Sequence, residues 1–327
     1  MPDDAGSRPP HGGWDGTTYY GREQVKAAPF NNWYVGGYIF LAGLSGGAML
    51  LSTLLDLTRG RGAGRAVARG RYLSLLAPTL GTAMLVGDLH TPKRFYNMLR
   101  LFKATSPMSI GSWILVFFGV FSTLTVAAHA LASRVPGLRW MRGVARVAQV
   151  PAAATGAGIA TYTASLLSAT STPLWAAAPR ALAVRFGASS VAAGAAALSL
   201  GEGRGSRLGR DLDKVAVAAL ALELAATLSA DEQYRRKGVA GALETLPGLI
   251  EEVGAGGMGM ALPLGLHAVS LMLLPRRSRA LSGLASLATL AGSAVLRVAI
   301  LAAGDESALR PEISLRFAQP ENLPREG

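Results

Sequence analysis

The chain has 327 residues, half of them apolar and only 16% charged, with 40 glycines and no cysteine. That profile excludes an ordinary soluble protein and fits one that crosses the membrane many times; the missing cysteine also excludes disulfides and thiolate-held iron–sulfur clusters. The net charge of +12 comes from arginines set between apolar spans, which points to loop cations that fix membrane orientation and not to a nucleic-acid surface.

Residues 1–30 form a polar arm rich in Gly and Pro, without the basic start and apolar core of a signal peptide. The first apolar span runs from Trp33 to Leu57, where Gly43, Gly46 and Gly47 offer a smooth face to a neighbouring helix. A second span, Tyr72 to Gly87, ends in a dense polar hinge, Asp88, Leu89, His90, Thr91, Pro92, Lys93 and Arg94. The third runs from Met108 to Ala132, the fourth from Val147 to Thr170, and the fifth, after the link STPLWAAAP, from Ala181 to Leu200. The sixth covers Val215 to Ala230, a charged loop follows, and the seventh and eighth cover Gly257 to Leu274 and Leu281 to Ala303. Residues 305–327 form a polar tail with three prolines.

Odd-numbered links hold 16 Lys and Arg against 9 in the even-numbered ones, counting Arg180 and Arg185. Basic links stay cytoplasmic, so both termini and the Asp88–Ser106 hinge are expected outside. The fold class expected is all-α, an eight-transmembrane-helix bundle over 31–304 between the arm and the tail.

Ionisable groups at membrane depth are costly unless they have a job or a partner. Asp88 and His90 stand at the mouth of the second span, where a proton acceptor has access to water; the structural alternative has Asp88 capping a short helix that begins near Pro92. Glu223 lies midway along the sixth span and Arg297 midway along the eighth, and each needs a partner or a water-lined path. His267 lies deep in the seventh, while His129 near the end of the third reads as a packing residue. Only His129 and His267 are placed to ligate a b-type haem, and the scattered histidines form no metal cage. Trp33, Trp113 and Trp175 mark the membrane boundary.

The hinge DLHTPKRFYNMLRLFKATSPMSIGSWIL resembles the central signature of the NrfD/PsrC family, membrane subunits of polysulfide-reductase-type complexes. TYYGREQVK and FLAGLSGG near the start, TYTASLLSATSTPLW in the fourth span and its link, and LAGSAVLRVAILAAG in the last follow in the family's order. The resemblance implies a quinone-facing subunit without haem or iron–sulfur cluster of its own. Its partners would be a four-cluster ferredoxin-like iron–sulfur subunit and a catalytic subunit, often with a molybdopterin cofactor, set in membrane lipid and touching no nucleic acid. The exchangeable cofactor would be menaquinone or ubiquinone, and the location the bacterial inner (cytoplasmic) membrane.

In that family the quinone site is built from the first helices and a tyrosine of the fourth, which Tyr162 matches by position. Tyr38 stands near the place where some members carry a histidine, with Tyr34 and Asn32 as further substitutes on the first helix. The candidate quinone contacts are therefore Asn32, Tyr34, Tyr38, Asp88, His90 and Tyr162. The candidate proton-transfer groups are Asp88, His90, Glu223, Arg297 and His267. A proton channel or transporter and a passive membrane anchor are the competing readings; the first is disfavoured because the half-chains show no repeat of broken helices around a midplane site.

Overall fold

The computed structural model describes residues 25–89, 92–203, 205–273 and 278–319, and every regular element among them is helical. The chain forms α1 (Asn32–Arg59), α2 (Gly64–Asp88), α3 (Pro107–Arg134), α4 (Met141–Ser168), a single turn α5 (Pro173–Ala177), α6 (Pro179–Leu200) and α7 (Arg207–Arg236). A short α8 (Leu246–Leu249) leads into a π-helical stretch, Ile250–Ala261, that continues as α9 (Leu262–Leu273); α10 (Arg279–Leu309) and α11 (Pro311–Phe317) complete it.

The helix starts are written into the residues before them. Asn31 caps α1 by accepting from the backbone N–H groups of Trp33 at 2.9 Å and Tyr34 at 3.3 Å. Ser106, Ser206 and Ser278 cap α3, α7 and α10 in the same way. Proline supplies the first turn of α3, α5 and α6, where its missing N–H costs nothing. The hinge after α2 coils into a 3₁₀ helix, Pro92–Leu99, at the position the sequence marks for a short helix.

Eight long helical rods occupy the places of the eight apolar spans, counted among the described residues. Five are both long and apolar enough to cross a membrane: Asn32–Arg59, Pro107–Arg134, Pro179–Leu200, Pro247–Met272 and Arg279–Leu309. The rods α2, α4 and α7 match them in length but not in apolar composition, and α7 carries charged groups along much of its length.

Packing follows the glycines. Gly46 lies against the backbone of Gly156 in α4, and Gly47 against Ser190 in α6, so that a Cβ on either would strike main chain. Such contacts let α1 run through the middle of the bundle with α2, α4, α6 and α10 around it. Gly259 and Gly292 make a comparable crossing between the π-helical stretch and α10.

Four expectations change. The loop expected between the sixth and seventh spans is mostly helix: α7 continues to Arg236, and the seventh rod begins well before Gly257. Its glycine run permits the wide π turn and the close approach to α10. Arg71 and Arg185, counted above as link cations, are buried inside α2 and α6 at 5% and 1% exposure. Trp175 is no boundary marker; it is 2% exposed, and its Nε1–H donates to the Ile300 carbonyl at 2.8 Å. Past Ala303, α10 runs on to Leu309, and α11 buries Ile313 and Ser314 beside the α7 end of the bundle.

Candidate functional site

A cavity of about 790 Å³ opens between α1, α2, α3 and α4. Its walls are mainly apolar: Ile39 from α1, Leu75, Pro78 and Leu85 from α2, Leu115 and Phe118 from α3, and Leu166 and Leu167 from α4. Tyr38, Tyr162 and Thr163 add polar groups, and Asp88, Leu89, Met98 and Leu99 form the hinge end. Along α2 the lining runs from Asp88 down to Leu75, which at about 1.5 Å per residue makes a slot roughly 20 Å long. The void is thus an elongated apolar space with Tyr38, Tyr162 and Asp88 toward its hinge end and Thr79 and Thr123 farther down.

Local sequence explains the shape. Pro78 lies inside α2 and lines the slot, removing one N–H from the helical ladder there. Gly111 in α3 is buried directly against the Tyr162 ring, so that any side chain at 111 would occupy the ring's place. That absence lets the phenol of α4 reach across toward α3. Tyr38 is 9% exposed, and Tyr162 is half-buried. Among the described residues neither phenol hydroxyl has a hydrogen-bond partner within the protein, while the hydroxyls of Ser112 and Thr79 on the same walls bond their own helices. A phenol offers one donor and one acceptor, and both tyrosines line the cavity.

Of the expected quinone contacts, Tyr38, Asp88 and Tyr162 are brought together on this cavity. Asp88 accepts from the backbone N–H of Asn31, 3.1 Å to Oδ1 and 3.3 Å to Oδ2, tying the top of α2 to the start of α1. Tyr34 is about half exposed and off the cavity wall. Asn32 turns toward α10, where its Nδ2 donates to Asp305 at 2.9 Å. His90 lies outside the described residues.

The expected proton-transfer residues of the later helices stand elsewhere. Arg297 is 1% exposed and donates to Ser189 at 2.6 Å, to the Ser293 hydroxyl at 2.7 Å and carbonyl at 2.9 Å, and to the Phe186 carbonyl and Ser190 at 3.2 Å. Its guanidinium also lies over the Phe186 ring, 5.1 Å from the centroid, a cation–π contact. Glu223 is buried and acts on Arg297 through charge, while the direct bonds go to hydroxyls and carbonyls. His267 is wholly buried with its Nδ1 3.8 Å from Asp213, which accepts from Ser199 at 2.5 Å and Ser282 at 2.9 Å. His129 belongs to a different neighbourhood, its Nδ1 3.1 Å from Arg71, so the two histidines do not face one another around a common ligand. Among the described residues no three His, Cys, Asp or Glu side chains group closely enough to hold a metal ion.

Two sets of residues escaped the sequence reading. Pro29 and Phe30 wall the hinge end of the cavity, and Asp305 holds the backbone beside them. At the opposite end of α1–α4, Asp56 accepts from Gln149 at 2.8 Å and from Arg71 and Arg146 at 3.2 Å each, locking helix ends together. Part of the signal for the second set was present, since Asp56 and Gln149 each interrupt an apolar run, whereas Arg71 reads as one more cation of the first link.

Over 307 residues the sequence is 27% identical to the C component of the polysulfide reductase of Wolinella succinogenes, an overlap of 84% of the present protein and 93% of that one. The model of the family described as polysulphide reductase, NrfD, matches residues 24–306, most of the length and nearly all of the long helices. With its apolar helices, the chain is thus a multi-pass integral membrane protein that belongs to the NrfD family.

Proposed function

We propose that this protein is the membrane subunit of a redox complex, taking up a quinone between α1 and α4 and exchanging it with a pool in the surrounding lipid. The observation that carries the reading is the cavity itself: an apolar slot of about 790 Å³ with two unengaged phenols, Tyr38 and Tyr162, on its walls. Its length suits an isoprenoid tail, and the phenols suit the two carbonyl oxygens of a quinone head group. The similarity to the polysulfide reductase component supports partner subunits, in this reading an iron–sulfur protein at the hinge face and a catalytic subunit beyond it.

A quinone supplies two-electron, two-proton chemistry when bound. The protein's part is to seat the head group by hydrogen bonds from Tyr38 and Tyr162, to exclude water with Phe118, Leu115 and Leu166, and to pass protons at the mouth. Asp88 is the ionisable side chain on the wall nearest the hinge and is partly exposed, so its carboxylate is placed to exchange protons with water. The excess of Lys and Arg in the odd-numbered links, which survives the removal of Arg71 and Arg185 from the count, supports eight spans with both termini and the cavity mouth on the outer side of a bacterial inner membrane.

The test is quinone turnover by the purified, assembled complex carrying Tyr162→Phe. Loss of one hydrogen bond of about 1.4 kcal/mol is expected to weaken quinone affinity roughly tenfold, with the partner subunits still attached. Unchanged affinity and turnover in Tyr162→Phe and Tyr38→Phe alike would leave the protein a passive anchor.

A further inference from the structure

Two carboxylates from opposite sides of the bundle grip the same short piece of backbone. Asp305, near the end of α10, accepts from the Ala28 backbone N–H at 3.0 Å through Oδ1 and from Asn32 Nδ2 at 2.9 Å through Oδ2. Asp88, at the end of α2, accepts from the Asn31 backbone N–H. Between these grips Phe30 lies almost parallel to the Trp175 indole, 10° between planes and 6.2 Å between centroids. Trp175 is itself fixed by its bond to the Ile300 carbonyl and rests on Gly304, where a Cβ would overlap the indole. Residues 28–32 are thus held at their ends and their middle, although nothing in this stretch is helical before Asn32.

The held segment is part of the cavity, since Pro29 and Phe30 form its wall beside Tyr38 and Asp88. Asp305 does not line that cavity, yet it sets where the wall stands. Both its oxygens are taken by the segment, and a carboxylate that accepts two N–H bonds holds its partners more firmly than a neutral acceptor.

We infer that residues 28–32 are a strap buckled by Asp88 and Asp305 across the cavity mouth, and that Asp305 is a positioning residue for the ligand site. The inference rests on the quinone reading for the identity of the ligand, but the strap is a property of this protein alone. α10 thereby reaches a site built by α1–α4: a disturbance at the end of α10 moves Phe30 and changes the seat offered to a head group.

The experiment measures two quantities on the assembled complex in detergent, hydrogen–deuterium exchange of the peptide covering residues 25–35 and the affinity for a quinone-analogue inhibitor. Asp305→Ala is expected to speed exchange at Ala28 at least tenfold and to weaken inhibitor binding about fivefold. Asp305→Asn, which keeps an oxygen for Ala28 and guards against a folding defect in the alanine variant, should fall between it and wild type in both. Wild-type exchange in Asp305→Ala would overturn the strap. Faster exchange with unaltered inhibitor affinity would overturn its positioning role. If wild type itself bound no inhibitor while Asp305→Ala still loosened Ala28, the strap would stand and the quinone reading would fall.

Discussion

On the α6–α10 side of the bundle, buried polar groups meet one another: Arg297 is enclosed by Ser189, Ser190 and Ser293, and Asp213 by Ser199 and Ser282. On the α1–α4 side, polar groups are tied up mainly at the two ends, by the Asp56–Arg71–Gln149 cluster and the Asp88–Asn31 contact, and the space between is a cavity with two open phenols. Equal numbers of long helices thus give a packed interior on one side and a hollow on the other. The difference teaches that a charged residue at membrane depth is by itself a poor guide to where a cavity lies. Arg297 and Glu223 are the more conspicuous in sequence, yet tyrosines and glycines build the cavity.

Arg297→Ala should have the largest effect. Removing a buried cation takes one donor from each of Ser189, Ser190, Ser293 and the Phe186 carbonyl, leaves only the Ser189–Ser293 and Ser190–Phe186 bonds among them, and opens a void, a loss of roughly 3 kcal/mol or more. Thermal unfolding in detergent would show it, and protein that remains folded should bind a quinone analogue as wild type does. A fall in affinity with no fall in stability would break the division between the two sides.

Gly111→Ala comes next and sharpens the comparison from the other side. The added methyl occupies the place of the Tyr162 ring and must displace it. Quinone-analogue affinity should drop about tenfold, which is about 1.4 kcal/mol, while the overpacking costs about 1 kcal/mol of stability. Isothermal titration beside a melting curve separates the two. Equal affinity would mean that Tyr162 is not part of the seat.

Asp88→Asn should be the mildest. The amide keeps an oxygen for the Asn31 N–H and loses the charge, so assembly should persist and turnover should slow only about two- to threefold, as expected for a proton exchanger with water nearby. Turnover assayed from mildly acidic to mildly alkaline pH would detect it; no change at any pH would remove Asp88 from proton exchange and leave it a tie for α1.

Much of the helical pattern was legible. Long apolar runs broken by arginines located the rods, because a membrane demands internally satisfied backbone, but the charges at 207–214 hid the first turns of α7, read only from Val215. The π-helical stretch was hidden because charge and glycine at 250–256 read as loop; it takes the contact between Gly259 and Gly292 to hold such a turn. Trp175 read as an interface anchor because its partner, the Ile300 carbonyl, is 125 residues away. The cavity was half legible: Asp88 stood out as an acid at the mouth of a span, while Tyr38 and Tyr162 stood out only through the family resemblance, and all three line the cavity. Phe30 and Asp305 were not, because one precedes the first helix and the other lies near the end of α10, and only the fold joins them.

The most direct test is photolabelling of the assembled complex with an azido-quinone that unlabelled quinone can displace. Label should appear on peptides of α1–α4, above all those holding Tyr38, Leu75, Leu115 and Tyr162. Displaceable label confined to α7, α9 or α10 would contradict the assignment of the cavity.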